Sequence, residues 1–231
     1  MKRFSRLIAT LIASSFVLPL VAGNNDAAQT QNADRAMFGV RAVCDITNSR
    51  TVSEITDWGA GGAAGISFYI PFGKLTYFSP ALLIGCETVK LDGVAGSEKT
   101  PLYFTGNMSI LGARLPLDFG LKFVQTSSVS ASIYTGPHIF FNFSVRGKYN
   151  IEDPKSDFVY LRHEKSLNNF KGFELDWGAG ISVDIKRHWN VRAECNYGLT
   201  QFAEMEKVYP GEISKFKRIA ISVGLGYNFN L

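Results

Sequence analysis

From Ser109 to Phe123 every second residue is apolar. Leu111, Ala113, Leu115, Leu117, Phe119, Leu121 and Phe123 alternate with Ile110, Gly112, Arg114, Pro116, Asp118, Gly120 and Lys122. A β-strand sends successive side chains to opposite faces, so this segment separates an oily environment from a polar, hydrogen-bonding one. A helix cannot present that division, because its stripe recurs every three to four residues.

The same split returns along the chain. Phe38, Val40, Ala42, Cys44 and Ile46 oppose Arg41 and Asp45, and Trp58, Ala60, Ala64, Ile66, Phe68 and Ile70 oppose Asp57, several glycines, Ser67 and Tyr69. Phe78, Leu82, Ile84 and Cys86 oppose Ser79, Ala81, Gly85 and Glu87, and Ile133, Ile139, Phe141 and Phe143 oppose serines, Tyr134, His138 and Asn142. Trp177, Ala179, Ile181 and Val183 oppose Glu174, Asp176, Ser182 and Asp184, and Val191, Ala193, Cys195, Tyr197 and Leu199 oppose Arg192, Glu194 and Asn196. Ile219, Ile221, Val223, Leu225, Tyr227, Phe229 and Leu231 oppose Arg218, Ser222, Gly224, Gly226 and Asn228. With the first segment this predicts eight strands.

Connections alternate in length. Pro71 to Lys74, Val124 to Ser128 and Lys186 to His188 are tight, whereas Thr47 to Thr56, Thr88 to Pro101, Arg146 to Phe170 and Phe202 to Phe216 are long and polar. Short turns at one end and long loops at the other are the pattern of an outer-membrane barrel. Aromatic residues fall at both ends of the apolar face, with Phe38, Phe68, Phe78, Phe119, Phe123, Trp189, Tyr227 and Phe229 toward the short turns and Trp58, Phe141, Phe143, Phe173 and Trp177 toward the long loops. Rings with apolar bodies and water-tolerant edges collect at membrane interfaces. The expected fold is all-β, an eight-stranded antiparallel up-and-down transmembrane β-barrel.

Lys2, Arg3 and Arg6 precede an apolar run from Leu7 to Val21 and small residues at Ala22 and Gly23. This order predicts a secretory signal peptide over 1–23, a polar periplasmic leader over 24–36 and the barrel over 37–231. Of 24 Lys and Arg, three belong to the signal peptide, which leaves 21 against 20 Asp and Glu and argues against nucleic acid as a partner. Cys44, Cys86 and Cys195 are widely spaced, without a C-x-x-C pair, so they read as small apolar side chains rather than a zinc site. One disulfide stays open in an oxidising compartment.

Placed inside a narrow barrel, the polar face collects Arg41, Asp45, Arg114, Asp118, Lys122, Glu174, Asp176, Asp184, Arg192, Glu194 and Arg218. Eight strands enclose a space that side chains can fill, so the expectation is a paired charge network that stiffens the barrel, with a narrow conduction path as its alternative. Glu174 and Asp176 share one strand face, yet no nucleophile or third ligand accompanies them, and the lone lumen histidine, His138, reads as a hydrogen-bonded plug residue. Gly59 to Gly65 lacks the G-K-[ST] ending of a phosphate loop. No catalytic set, cofactor site or metal site emerges.

Several segments resemble the PorT-like family of small outer-membrane β-barrel domains: Phe38-Gly39-Val40-Arg41-Ala42, Phe78-Ser79-Pro80-Ala81-Leu82-Leu83, Leu115-Pro116-Leu117, Tyr134-Thr135-Gly136-Pro137, Asn196-Tyr197-Gly198-Leu199 and Gly224-Leu225-Gly226-Tyr227-Asn228-Phe229. The resemblance implies a bacterial outer-membrane location, contact with outer-membrane lipid and no enzymatic activity. It also implies recognition of the C-terminal strand by the barrel-assembly machinery, although the closing aromatic of that family is here Phe229, two positions before Leu231. A structural or interaction scaffold in cell-surface assembly or export, meeting a protein or surface polymer through its outer loops, is the functional expectation. The alternatives are a narrow channel and a secreted lipocalin-like ligand-binding barrel, which would put the apolar face inside.

Overall fold

The computed structural model describes residues 35–50, 56–97, 100–153, 158–164, 172–186, 188–201, 203–204 and 215–230. The predicted signal peptide and nearly all of the leader lie outside them. The strands are β1 (Met37–Arg50), β2 (Thr56–Asp57), β3 (Gly59–Pro71), β4 (Thr76–Ser97), β5 (Thr100–Gln125), β6 (Val129–Asp153), β7 (Phe158–Glu164), β8 (Phe173–Ile185), β9 (Trp189–Gly198), β10 (Ala203–Glu204) and β11 (Lys215–Asn230). Eight of them form an antiparallel ring in the order β1-β3-β4-β5-β6-β8-β9-β11, which closes because β1 also pairs with β11 from Met37↔Asn230 to Arg50↔Lys217. Closure leaves no strand edge within the ring, the condition for a sheet to stand in hydrocarbon. No helix among the described residues is long and apolar enough to cross a membrane.

The alternation places the faces as expected. Ile84, Val223, Ile181, Ile46 and Phe119 are each more than half exposed on the outside, while Asp118, Glu174, Asp176 and Ser132 are completely buried inside. A soluble ligand-binding barrel has the opposite arrangement, so the lipocalin-like alternative fails on this geometry. Cys44, Cys86 and Cys195 are free thiols exposed on the outer face.

The three tight turns each have a local cause. Between β3 and β4, Phe72 N–H donates to Thr76 O at 3.0 Å, the Thr76 hydroxyl donates back to Phe72 O, and Gly73 takes φ +93°, a left-handed conformation that costs glycine least. Between β5 and β6, Thr126 N–H donates to Val129 O at 2.9 Å. Between β8 and β9, Lys186 is itself left-handed at φ 51°. Above these turns the lower aromatic girdle is built from cross-strand contacts, Phe38 on Phe68 at 5.4 Å, Phe78 on Phe119 at 4.8 Å and Trp189 on Tyr227 at 5.0 Å. Phe141 and Phe173 meet at 5.9 Å in the upper one.

The long connections depart from expectation. Of Thr88 to Pro101, the described residues are strand, not loop: β4 and β5 stay paired from Thr76↔Leu121 up to Ser97↔Thr100. Arg146 to Phe170 likewise opens as strand, since β6 runs to Asp153 and β7 pairs back on it from Gly147↔Glu164 to Asp153↔Phe158. β1 continues to Arg50, and Ala203–Glu204 pairs with Lys215–Phe216. Asp57, expected on the polar face of the same strand as Ser67 and Tyr69, lies instead exposed in the separate strand β2, opposite Lys90.

A bulge explains a further difference. The β5–β6 register slips between Leu111↔Ser144 and Gly112↔Asn142, leaving Phe143 unpaired. One extra residue inverts the faces of everything beyond it. Val145 is therefore buried and Arg146 exposed, the reverse of the phase that holds below Asn142.

Candidate functional site

All eleven charged residues expected in the lumen lie on the inner face, and all are buried or half-buried. They sort by depth into layers, because each strand contributes alternate residues at a fixed rise.

At the level of the tight turns, Lys122 stands 5.2 Å from the centre of the Tyr69 ring, and Asp184 accepts from Ser130 at 3.1 Å and Asn190 at 2.6 Å. Just above, the hydroxyls of Tyr77, Ser132 and Ser182 form a triangle with sides of 2.8, 3.2 and 2.7 Å. Tyr77 fits because Gly120 faces it; a Cβ at that glycine would lie 2.1 Å from the ring.

The middle layer turns on Asp118. Its carboxylate accepts from Arg192 at 2.6 Å and from His138 Nε2 at 2.9 Å, and Arg41 Nη1 lies 3.6 Å away. Arg192 also lies 3.8 Å above the Tyr134 ring, and the Tyr134 hydroxyl donates to Glu194 at 3.0 Å. His138 Nδ1 points toward Glu194 at 3.6 Å. Asp118, His138 and Glu194 bring ligand-type atoms within 4.8 Å of one another, but two arginines share that space and repel a metal ion. The imidazole has room because Gly178 carries no side chain; a Cβ there would meet it at 2.6 Å. Gly178→Ala is expected to destabilise the folded barrel by about 1–3 kcal/mol, the range for overpacking, as read from its urea midpoint in lipid vesicles. A midpoint equal to the parent's would mean that the imidazole is not fixed there.

The upper layer turns on two arginines. Arg114 reaches Asp45 at 2.6 Å and Glu87 at 3.2 Å, and Arg218 reaches Glu87 at 2.6 Å and Glu174 at 3.1 Å. The Phe140 ring packs against both guanidinium groups, 5.3 Å from Arg114 and 4.1 Å from Arg218. Asn142 donates to Glu174. Above this layer Val89, Met108, Ile110 and Val145 are buried on the inner side.

Glu87 and Phe140 were absent from the expected network. Glu87 was already in phase with it, since it opposes Leu82, Ile84 and Cys86. Phe140 was hidden in the run Ile139-Phe140-Phe141, where both faces are apolar.

Three small cavities string through the lumen. The lowest, about 30 Å³, shares Tyr69 and Asp184 with the second, about 10 Å³, which shares Arg41 and Arg192 with the third, about 20 Å³, bounded above by Arg114. Each is on the scale of one or two water molecules.

A closed ring, oily outside and ionic inside, with tight turns at one end, is the form of a bacterial outer-membrane barrel, and the chain matches a family of that description over residues 27–204. It belongs to the outer membrane protein beta-barrel domain family. Its location is the bacterial outer membrane. Solved structures similar to this family member include the attachment invasion locus protein Ail of Yersinia pestis, 11% identical with a TM-score of 0.39 over 85% of this chain and 100% of that one. OprG of Pseudomonas aeruginosa is 12% identical with a TM-score of 0.44 over 88% and 100%. Neisserial surface protein A is 15% identical with a TM-score of 0.39 over 85% and 100%. No curated protein matches in sequence.

Proposed function

We propose that this barrel is a non-conducting, non-enzymatic scaffold that presents a rigid β-sheet outside the membrane to a protein or polymer at the cell surface. The observation that carries this reading is strand length. A transmembrane β-strand needs about 9–11 residues, whereas β4, β5 and β6 have 22, 26 and 25. Their upper halves, joined by β7, continue as a sheet well beyond the aromatic girdle. Strands that outrun the bilayer contribute nothing to crossing it and supply an ordered surface instead of a loose loop.

The lumen supports the same reading from the other side. Most of its charges are bound to one another, the three cavities are water-sized, and an apolar group sits above the upper arginines, which together argue against a continuous hydrated path for an ion among the described residues. His138 is buried with a carboxylate off each ring nitrogen, which leaves it no free nitrogen for acid–base work on a lipid.

The test replaces residues 92–104 by a two-residue turn and compares this variant with the full chain on intact cells by chemical cross-linking, and in planar bilayers by conductance. The full chain is expected to give a cross-linked surface adduct that the shortened chain loses, while both keep a heat-shifted gel band and neither produces single-channel steps. Regular current steps from the full chain, without an adduct, would replace the scaffold by the channel.

A further inference from the structure

Without the bulge at Phe143, Arg146 would point into the lumen with Tyr134, His138 and Phe140, the buried residues that share its phase lower on β6. The slip turns it outward, and it emerges exposed on the outer face. Bulges that re-aim a single side chain are built features of a sheet. The height at which this one acts is particular too. Phe78 and Phe119 pair in the lower girdle, and Thr88 and Ser109 pair ten positions away along β4 and β5. About 9–11 residues carry a strand across the bilayer. Arg146 is the β6 partner of Ser109, so it stands where the strands leave hydrocarbon.

A patch of hydrogen-bond donors surrounds it. The row Thr88, Ser109 and Arg146 is followed outward by the row Lys90, Asn107 and Lys148, both in register across β4, β5 and β6. Ser109, Asn107 and Lys90 are exposed on the same outer face as Arg146. Strand spacing and rise make these two rows cover roughly 10 Å by 7 Å. Neither row holds a carboxylate on these three strands. The nearest acids by register are Asp57, beyond Lys90 on β2, and Asp92, one row higher on β4. Directly below the patch, Leu111 and Phe143 are 47% and 63% exposed on the lipid-facing side. The surface is therefore oily in the membrane, cationic at its boundary and acidic only at the far corner and farther out. An amphiphile with an anionic head has the complementary order.

We propose that this patch binds one outer-leaflet lipid through its phosphate, with Arg146 as the principal contact. The Arg146 guanidinium and the Ser109 hydroxyl donate to phosphate oxygens, Lys90 and Asn107 close on the head from the next row, and the acyl chains lie over Leu111 and Phe143. The planar guanidinium fork fits phosphate oxygens two at a time, and basic residues beside a membrane attract anionic headgroups. The chain shortened at 92–104 retains every one of these residues, so the lipid site and the outer partner surface stand or fall separately.

The test uses the full-length barrel in a neutral detergent, titrated with dioleoyl phosphatidate and followed by native mass spectrometry. One phosphatidate is expected to be retained per barrel, and oleate, a carboxylate amphiphile, is expected to bind at least tenfold more weakly. Arg146→Gln is expected to weaken phosphatidate binding tenfold or more while keeping the heat-shifted band, since its side chain is exposed. Lys90→Gln is expected to weaken it less, and serves if the first variant does not fold. Lys217→Gln removes a cation from the outer face of β11, across the ring, and is expected to change nothing. Equal binding by the parent and a folded Arg146→Gln barrel overturns the proposal. Equal losses from Arg146→Gln and Lys217→Gln overturn it as well, because diffuse charge would then hold the lipid. Displacement of phosphatidate by an equal concentration of inorganic phosphate would make free phosphate the ligand in place of a lipid.

Discussion

Asp118→Ala is expected to lower the folded barrel's stability by about 3–5 kcal/mol, the range for breaking a buried ion pair from one side. The effect is large because one carboxylate serves two guanidinium groups and an imidazole. Arg192, His138 and Arg41 converge on it at 2.6, 2.9 and 3.6 Å, and none of the three can turn to water, being at most 7% exposed. Glu194 is the remaining carboxylate of that layer and is already bonded by Tyr134 and Asn196. Urea unfolding in lipid vesicles, followed by the heat-shifted band and tryptophan emission, measures the loss. Combining Asp118→Leu with Arg192→Met should recover a substantial part of it, since removing both partners of a buried pair costs far less than removing one and coupled residues are not additive. A loss below about 1 kcal/mol, the value of a surface pair, would mean that the lumen is wet enough to screen its charges. The channel would then regain standing.

The layered lumen also explains how far the chain can be read without coordinates. Within the membrane, each strand must be apolar outside and polar inside, and the sequence records that constraint as strict alternation. Arg41, Asp118, Glu174, Arg192 and Arg218 could therefore be assigned a face from phase alone. Their partners could not. Phase orders residues on one strand, while the Asp118–Arg192 contact spans 74 positions and follows from barrel closure and stagger. Outside the membrane the constraint disappears. Leu91-Asp92-Gly93-Val94-Ala95-Gly96-Ser97 has no alternation and reads as a loop, although its backbone is paired residue by residue with β5. The bulge at Phe143 hides the upper part of β6 by inverting its phase. Val89, Met108 and Val145 sit among polar neighbours, so their burial follows from that extended sheet and not from a local pattern.

Val223→Arg tests the outer face at one of its more exposed positions. Val223 is 59% exposed and lies at mid-depth in β11, between Cys44 of β1 and Ala193 of β9. In the bilayer that exposure is to hydrocarbon, and an arginine at the midplane of a barrel's lipid face costs about 2–4 kcal/mol. Snorkelling relieves little of this, because the interfaces are farthest away there. The inner neighbour Ser222, 4% exposed, provides a contrast on the same strand: Ser222→Ala removes a hydroxyl that has no partner among the described residues and should change stability by less than about 1 kcal/mol. Unfolding of both variants in vesicles of one lipid composition measures the two effects together. If the ring were a soluble barrel with Val223 in water, arginine there would be nearly neutral. A cost of several kcal/mol for Val223→Arg beside a small one for Ser222→Ala requires that water be excluded from the outside of the ring, which is why the spanning strands turn their charges inward: only there does a charged side chain find polar partners without meeting lipid.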